Sequence, residues 1–109
     1  MPAYNFFSPP PATGLNEEFF TLLERPGIKI ERIASYGQSS PSGFWYDQPN
    51  DEWVMLVQGH AALEFLHGDL VEMNSGDTLL IPAHQQHRVS RTSEDTLWLA
   101  VHFTANSEA

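Results

Sequence analysis

The sequence contains no cysteine, which excludes disulfide frameworks, thiolate nucleophiles and zinc sites built on cysteine. Any metal site must therefore use His, Asp, Glu or neutral oxygen donors. Basic residues are also few, since five Lys and Arg stand against 14 Asp and Glu and the formal net charge is −9. A chain this acidic is repelled by phosphate backbones and anionic lipid, so we expect no nucleic-acid partner and no membrane-surface partner.

Long apolar runs are absent as well, and none approaches the length of a membrane span. The N-terminal stretch "MPAYNFFSPPPATG" has neither a basic region nor a long apolar region, so it does not resemble a signal peptide. We therefore expect a cytoplasmic protein. A length of 109 residues and a hydrophobic content of 41% are typical of one folded domain with one core.

The N-terminal quarter of the chain is predicted to contain an arm and a helix. Residues 1–14 hold four of the eight prolines, which favours an extended arm. The stretch "LNEEFFTLLERPG" predicts a helix over residues 16–25, with Asn16 as its cap, acidic residues in its first turn and an apolar stripe. The helix is expected to belong to a single domain over residues 15–109.

The rest of the chain is typical of short strands separated by tight, glycine-bearing turns, which predicts an all-β fold of the antiparallel sandwich or jelly-roll barrel type. Strands 52–58 and 97–103 are apolar on both faces, so something must cover the second face: the arm, the helix or a second subunit. We expect a homodimer for this reason. The predicted strands are 28–35, 44–46, 52–58, 61–66, 70–73, 78–82, 87–92 and 96–104.

Two polar residues stand where strands begin at one end of this barrel, Glu52 before an apolar strand and His87 after the turn "PAHQQ". If the two strands lie side by side, the carboxylate and the imidazole meet inside the barrel. Such a pair is by type a metal site or an acid–base pair. Spacing alone leaves open that both are ordinary polar groups at the rim.

The segments around these residues, "GFWYDQPNDEWVMLVQG" and "GDTLLIPAHQQHRVS", resemble the paired motifs of the cupin superfamily. The first motif is G-x5-H-x-H-x3-E-x6-G and the second is G-x5-P-x-G-x2-H-x3-N. Gly76, Pro82 and His87 fit the second motif, and Glu52 with Gly59 fits the end of the first. The resemblance implies a small single-domain cupin barrel over nearly the whole chain.

Cupins typically bind a divalent metal through two histidines and a glutamate of the first motif and a histidine of the second. Here the two histidine positions of the first motif hold Tyr46 and Gln48, and only Glu52 and His87 match. A phenol and a neutral amide oxygen are weaker donors than imidazole for zinc, nickel or iron(II). The resemblance implies a divalent ion of zinc, nickel, manganese or iron, but two of the four usual ligands are replaced here, so the family's metal cannot simply be carried over.

Two further histidines could complete that set. His84 lies three residues before His87 across a turn, so either both rings reach one ion or His84 faces solvent at the rim. His102 lies in the last strand, where it faces either the barrel interior or the covered outer face beside Trp98.

Three functions remain open from the sequence. The first is a barrel pocket that binds a divalent metal and a small organic molecule, as in a metal-dependent enzyme, with the Tyr46 hydroxyl as a catalytic acid or hydrogen-bond donor. The second is a metal-free module that binds or senses a small molecule. The third is metal-free acid–base catalysis with His87 as base and Tyr46 as acid.

Overall fold

The computed structural model describes residues 2–8 and 16–104, and these form two antiparallel β-sheets with no α-helix among them. The strands are β1 (Glu18–Arg25), β2 (Ile28–Ser35), β3 (Asp51–Gln58), β4 (His60–Phe65), β5 (Leu70–Asn74), β6 (Thr78–Ile81), β7 (His87–Thr92) and β8 (Thr96–Phe103). The sheets face each other, one with five strands in the order β1-β2-β8-β3-β6 and the other with three in the order β5-β4-β7. None of the described segments is a helix long and apolar enough to cross a membrane.

The predicted helix over residues 16–25 is wrong, because residues 18–25 form strand β1. β1 pairs with β2 as an antiparallel hairpin, and Gly27 takes the left-handed φ of +82° that the tight turn requires. An isolated helix of ten residues is marginal in water, so the hydrogen bonds to β2 outweigh the helical spacing of the apolar residues. The predicted strand 44–46 is likewise reduced to a single bridge between Tyr46 and His87.

The core lies between the two sheets and follows the alternation of each strand. In β3, Val54 and Leu56 point inward and are almost completely buried, whereas Trp53 and Met55 point outward and are half-buried. In β8 it is Trp98 that faces the core, with 4% of its surface exposed. Strands β3 and β8 therefore carry apolar side chains on both faces, as the sequence predicts.

One outward-facing set crosses all five strands of the large sheet, and we name it the outer row. The register places Leu23 opposite Ile30, Ile30 opposite Val101, Val101 opposite Trp53 and Trp53 opposite Leu80. Partners across an antiparallel pair share a face, so these five side chains form one apolar stripe without a charge.

The described part of the N-terminal arm, residues 2–8, packs on the outer face of the same sheet. The ring of Tyr4 stacks on Phe20 with 5.3 Å between centroids. Arg32 donates from Nε to the carbonyl oxygen of Phe6 at 2.8 Å, and its guanidinium lies 5.5 Å from the centre of the Phe6 ring. Residues 9–15 lie outside the described part, so the predicted extent of the arm to residue 14 and the Leu15 start of the domain stay predictions.

Candidate functional site

A pocket opens between the two sheets at one end of the barrel, with a cavity volume of about 100 Å³. Its apolar side is formed mainly by Val54, Leu63, Ile81, Val89 and Trp98. A second cavity of about 540 Å³ shares Phe19, Glu31, Gln48 and His102 with it, so the two adjoin, and we call this second cavity the mouth. The polar residues that line the inner pocket are Glu17, Glu31, Tyr46, Gln48, Glu52, His87 and His102.

Glu52 and His87 meet inside this pocket, from opposite sheets. Glu52 is near the start of β3 and His87 is the first residue of β7, and both are buried. Glu52 Oε1 lies 3.8 Å from His87 Nε2, too far for a direct hydrogen bond. His87 Nδ1 donates to the carbonyl oxygen of Gln85 at 2.8 Å, so in the neutral ring Nε2 carries the lone pair and faces Glu52.

The Glu52 carboxyl group is perturbed by its surroundings. Burial raises the pKa of Glu52, because desolvation penalises the charged carboxylate, and the neighbouring Glu31 raises it further. The imidazoles of His102 and His87 act in the opposite direction, and burial outweighs them. A carboxyl group with a raised pKa is a stronger base when ionised and suits proton transfer nearer neutral pH.

Tyr46 is fixed beside this pair by backbone bonds with His87. Tyr46 N–H donates to the His87 carbonyl at 2.7 Å, and its ring stacks on the imidazole with 5.5 Å between centroids. Burial raises the pKa of the Tyr46 phenol, and the carboxylates of Glu17 and Glu52 raise it further. The hydroxyl therefore stays protonated at neutral pH and can donate a hydrogen bond. Gln48, two residues on, also lines the pocket.

A second carboxylate–imidazole pair lies next to the first. His102 is the register partner of Glu52 on β8, and its ring lines the pocket, which answers the question of direction that the sequence left open. His102 Nε2 lies 2.9 Å from Glu31 Oε1, within hydrogen-bonding distance. Glu31 was missed in the sequence, where a charge in a strand is taken to face water. The available signal is its position two residues from the inward-facing Ile33.

His84 is not brought to this site. Its ring is exposed and lies 2.8 Å from Asp47 Oδ1, and it does not line the pocket. The backbone at His84 has a φ of +64°, the left-handed conformation found in turns. The two rings therefore do not come together, although His84 and His87 are only three residues apart in the sequence. Of the five metal-ligand candidates, the pocket contains four: Glu52, His87, Gln48 and His102.

The donor geometry falls short of a closed metal site. Among residues 2–8 and 16–104, no three His, Asp or Glu side chains are grouped closely enough to hold one ion. Glu52 and His87 supply two donors, and a catalytic zinc-like ion usually has three protein ligands. Gln48 is the neutral oxygen donor nearest to completing the set by its motif position. The residues as placed therefore do not fit a tightly held ion.

A family model described as a cupin domain matches residues 34–102. The chain belongs to the cupin family. The resemblance of its motifs and the all-β barrel class are thereby confirmed. No curated protein matches this cupin.

Solved structures share the fold over most of the chain. A protein from Ralstonia eutropha JMP134, described as a "putative mannose-6-phosphate isomerase", is 50% identical, with 96% of this chain and 100% of that chain covered and a TM-score of 0.90. An RmlC-like cupin from Desulfovibrio desulfuricans is 16% identical, with 94% and 96% covered and a TM-score of 0.76. KdgF from Halomonas sp. is 16% identical, with 88% and 87% covered and a TM-score of 0.71. The last two likenesses show the fold alone.

Proposed function

We propose that this cupin binds a small hydroxylated organic molecule in its barrel pocket and transfers a proton on it without a metal ion. The observation that carries the proposal is the buried Glu52–His87 pair in the pocket, with the Glu52 pKa raised by burial. The protein of 50% identity is described as an isomerase, and sugar isomerisation proceeds by moving a proton between neighbouring carbons. Function still rests on the site, because one fold hosts many chemistries.

In this proposal each residue has a defined task. The Glu52 carboxylate takes a proton from the carbon next to a carbonyl group, and the electron pair of that C–H bond moves to the carbonyl oxygen. The Tyr46 hydroxyl donates a hydrogen bond to this oxygen as its negative charge develops. The lone pair of His87 Nε2 accepts a hydrogen bond from the adjacent hydroxyl. His87 Nε2 then takes the proton of that hydroxyl and delivers it to the former carbonyl oxygen, while Glu52 returns its proton to the former carbonyl carbon, so that the neighbouring carbon becomes the new carbonyl and the isomerisation is complete.

Solvent exchange tests this chemistry without knowledge of the natural substrate. Hexoses and their phosphates are incubated with the protein in D₂O, and loss of the proton next to the carbonyl is followed by NMR. We expect exchange with the wild type and a rate at least about a hundredfold lower in Glu52→Gln, because positioned acid–base groups contribute 10²–10⁴-fold. The control is Glu94→Gln, an exposed position outside the pocket. Exchange that is equally fast in Glu52→Gln contradicts the proposal.

The second candidate function is uptake of a divalent metal through Glu52 and His87, with Gln48 or His102 as a third donor. The hydrogen bond from His87 Nδ1 to the Gln85 carbonyl favours it, because metal-binding histidines commonly donate their other ring N–H in this way. Such an ion supplies Lewis-acid chemistry when bound.

Thermal melting with zinc, nickel, manganese and iron(II) tests metal uptake in protein purified without a histidine tag. Binding to the native state alone stabilises it by about 2.7 kcal/mol at a hundred times the dissociation constant. If an ion stabilises the wild type, Glu52→Ala and His87→Ala should remove that stabilisation, His102→Ala should lower the metal affinity about tenfold and Gln48→Ala should lower it less. His84→Ala is the matched control outside the pocket. A melting temperature that no ion changes excludes this candidate.

A further inference from the structure

We infer that the ligand of this pocket is an uncharged or cationic molecule that donates hydrogen bonds, and that phosphorylated and carboxylated molecules are rejected. The inference rests on the proposed function only in that the pocket takes a small organic molecule. It narrows the class of substrate. It also predicts that this cupin does not bind the sugar phosphate for which its Ralstonia eutropha relative is named.

The acidic side chains of the pocket outnumber its imidazoles. Three carboxyl groups line it, Glu17, Glu31 and Glu52, against two histidines, His87 and His102. With both imidazoles protonated and all three carboxyl groups ionised, the summed charge of these side chains is negative. With neutral imidazoles the summed charge is more negative. Protonation of Glu52 together with both imidazoles brings the sum only to zero. In none of these states is the lining positively charged.

Three of the five basic residues of the chain are engaged elsewhere. Arg32 is buried on the outer face of the large sheet, where it holds the arm. Arg88 donates to Glu64 at 2.9 Å and to the Ser40 carbonyl at 2.8 Å. Arg91 is paired with the Glu72 carboxylate. None of the three lines either cavity.

The other two basic residues, Arg25 and Lys29, line the mouth and not the inner pocket. Lys29 Nζ is 3.3 Å from Glu31 Oε2, so its charge already compensates a carboxylate. Arg25 is exposed and donates to the carbonyl oxygen of Glu24. The undescribed residues 1, 9–15 and 105–109 contain no Lys or Arg, so they bring no further basic side chain.

An anion in this pocket would lose its hydration without a compensating charge. Proteins recognise phosphate and carboxylate through Arg or Lys side chains or through helix N-termini. The inner pocket has no such side chain, and the described part of the chain has no helix. The formal charge of −9 adds a long-range repulsion before an anion reaches the mouth. Carboxylates instead accept hydrogen bonds from hydroxyl and ammonium groups.

Two sets of probes that share a scaffold and differ in charge test the inference on the full chain. We choose mannose, mannosamine and mannose 6-phosphate, and benzyl alcohol, benzylamine and benzoate. Binding is followed by NMR shifts of the pocket methyl groups of Leu63 and Val89. We expect the anion of each set to bind at least about tenfold more weakly than its uncharged and cationic partners. An anion that binds at these methyl groups as tightly as its uncharged partner overturns the inference.

Two charge-removing variants separate the local effect from the overall charge. Glu31→Gln removes a pocket carboxylate and is expected to reduce the ratio of uncharged-probe affinity to anion affinity, the discrimination, about tenfold. Glu17→Gln replaces it if Glu31→Gln does not fold. Glu94→Gln changes the net charge equally from outside the pocket and is expected to leave the discrimination unchanged. Equal narrowing in both assigns the selectivity to overall charge and overturns the inference. The proposed proton transfer is judged separately. It predicts that exchange in D₂O depends on Glu52, and it makes no prediction about how the affinities of anionic and uncharged probes compare.

Discussion

Glu52 is a carboxyl group that the fold removes from water, and the pH dependence of stability should reveal it. Its pKa is raised in the folded state by burial, so the folded protein binds this proton more tightly than the unfolded chain does. The resulting stabilisation is complete below the unfolded pKa of about 4.5 and is lost as the pH rises through the folded value. We expect Glu52→Gln to be more stable than wild type at neutral pH, with the advantage shrinking towards acid.

Urea denaturation of both proteins at several pH values measures this difference. Glu94→Gln serves again as the control, because its carboxyl group is exposed. If the difference between Glu52→Gln and wild type is independent of pH, then the Glu52 pKa is the same in the folded and unfolded states and the proposed base loses its support.

Gly59 and Gly43 form a matched pair for a test of backbone conformation against packing. Both have positive φ, +89° and +79°, so alanine at either position costs about 1–2 kcal/mol of strain. A Cβ at Gly59 would in addition lie 2.5 Å from Ser93 Oγ and 2.9 Å from Thr96 Cα, whereas at Gly43 it meets nothing within 4 Å. We expect the free energy of unfolding to fall by about 1–3 kcal/mol more for Gly59→Ala than for Gly43→Ala. Equal losses in urea denaturation would show that the turn at Gly59 relaxes.

At the same scale, the site residues differ in how far the sequence could reveal them. Glu52 and His87 are fixed by motif spacing, and the pocket contains both. The direction of His102 depends on the register of β8 against β3, which no local pattern encodes. Glu31 was missed because a charged residue in a strand is taken to face water, and its spacing from Ile33 outweighs that expectation only once the His102 partner is known.

Strand β1 shows where local pattern fails at the scale of the element. Residues 19, 20, 22 and 23 fit one face of a helix, and they also fit a strand that is apolar on both faces. The edge of β2 decides between the two, because its hydrogen-bonding groups need a partner. Strands β2 to β8 were predicted within one or two residues, since alternation and glycine turns are local signals.

The contact between β2 and the arm gives a prediction at this scale. Arg32 is buried and holds Phe6 by a hydrogen bond and by its position over the ring. We expect Arg32→Met to lower the free energy of unfolding by about 1.5–3 kcal/mol, as for hydrogen bonds to charged groups. Arg32→Lys keeps the charge without the planar guanidinium, so its free energy of unfolding should lie between those of the wild type and Arg32→Met.

Hydrogen exchange followed by mass spectrometry measures the release of the arm directly. Peptides that contain residues 2–8 should exchange faster in Arg32→Met, while those from β4 and β5 should not change. Unaltered exchange of the arm would mean that the stacking of Tyr4 on Phe20 suffices to hold it.

For the whole molecule, we propose that the outer row is the interface of a homodimer. An isologous interface places the same surface of two copies together, and two chains with a net charge of −9 can meet most readily where charge is absent. The outer row crosses the sheet without a charged residue.

We expect light scattering to give the mass of a dimer for the wild type and of a monomer for Val101→Lys. Leu70→Lys, on the exposed edge strand β5, is the control that should stay dimeric. A monomeric wild type at micromolar concentration rejects the proposal.

The position of β8 also determines when the protein can acquire its native structure. β8 follows all the other strands in the chain, yet it lies in the middle of the large sheet, between β2 and β3. A nascent chain still held by the ribosome at residue 96 cannot join these two strands, and the pocket lacks the wall that carries Trp98 and His102. Pairing strands so distant in sequence is slow, because a long loop must close first. We therefore expect the barrel to fold only after β8 has been synthesised, and not during chain elongation. Until then the β1–β2 hairpin can form only as local structure.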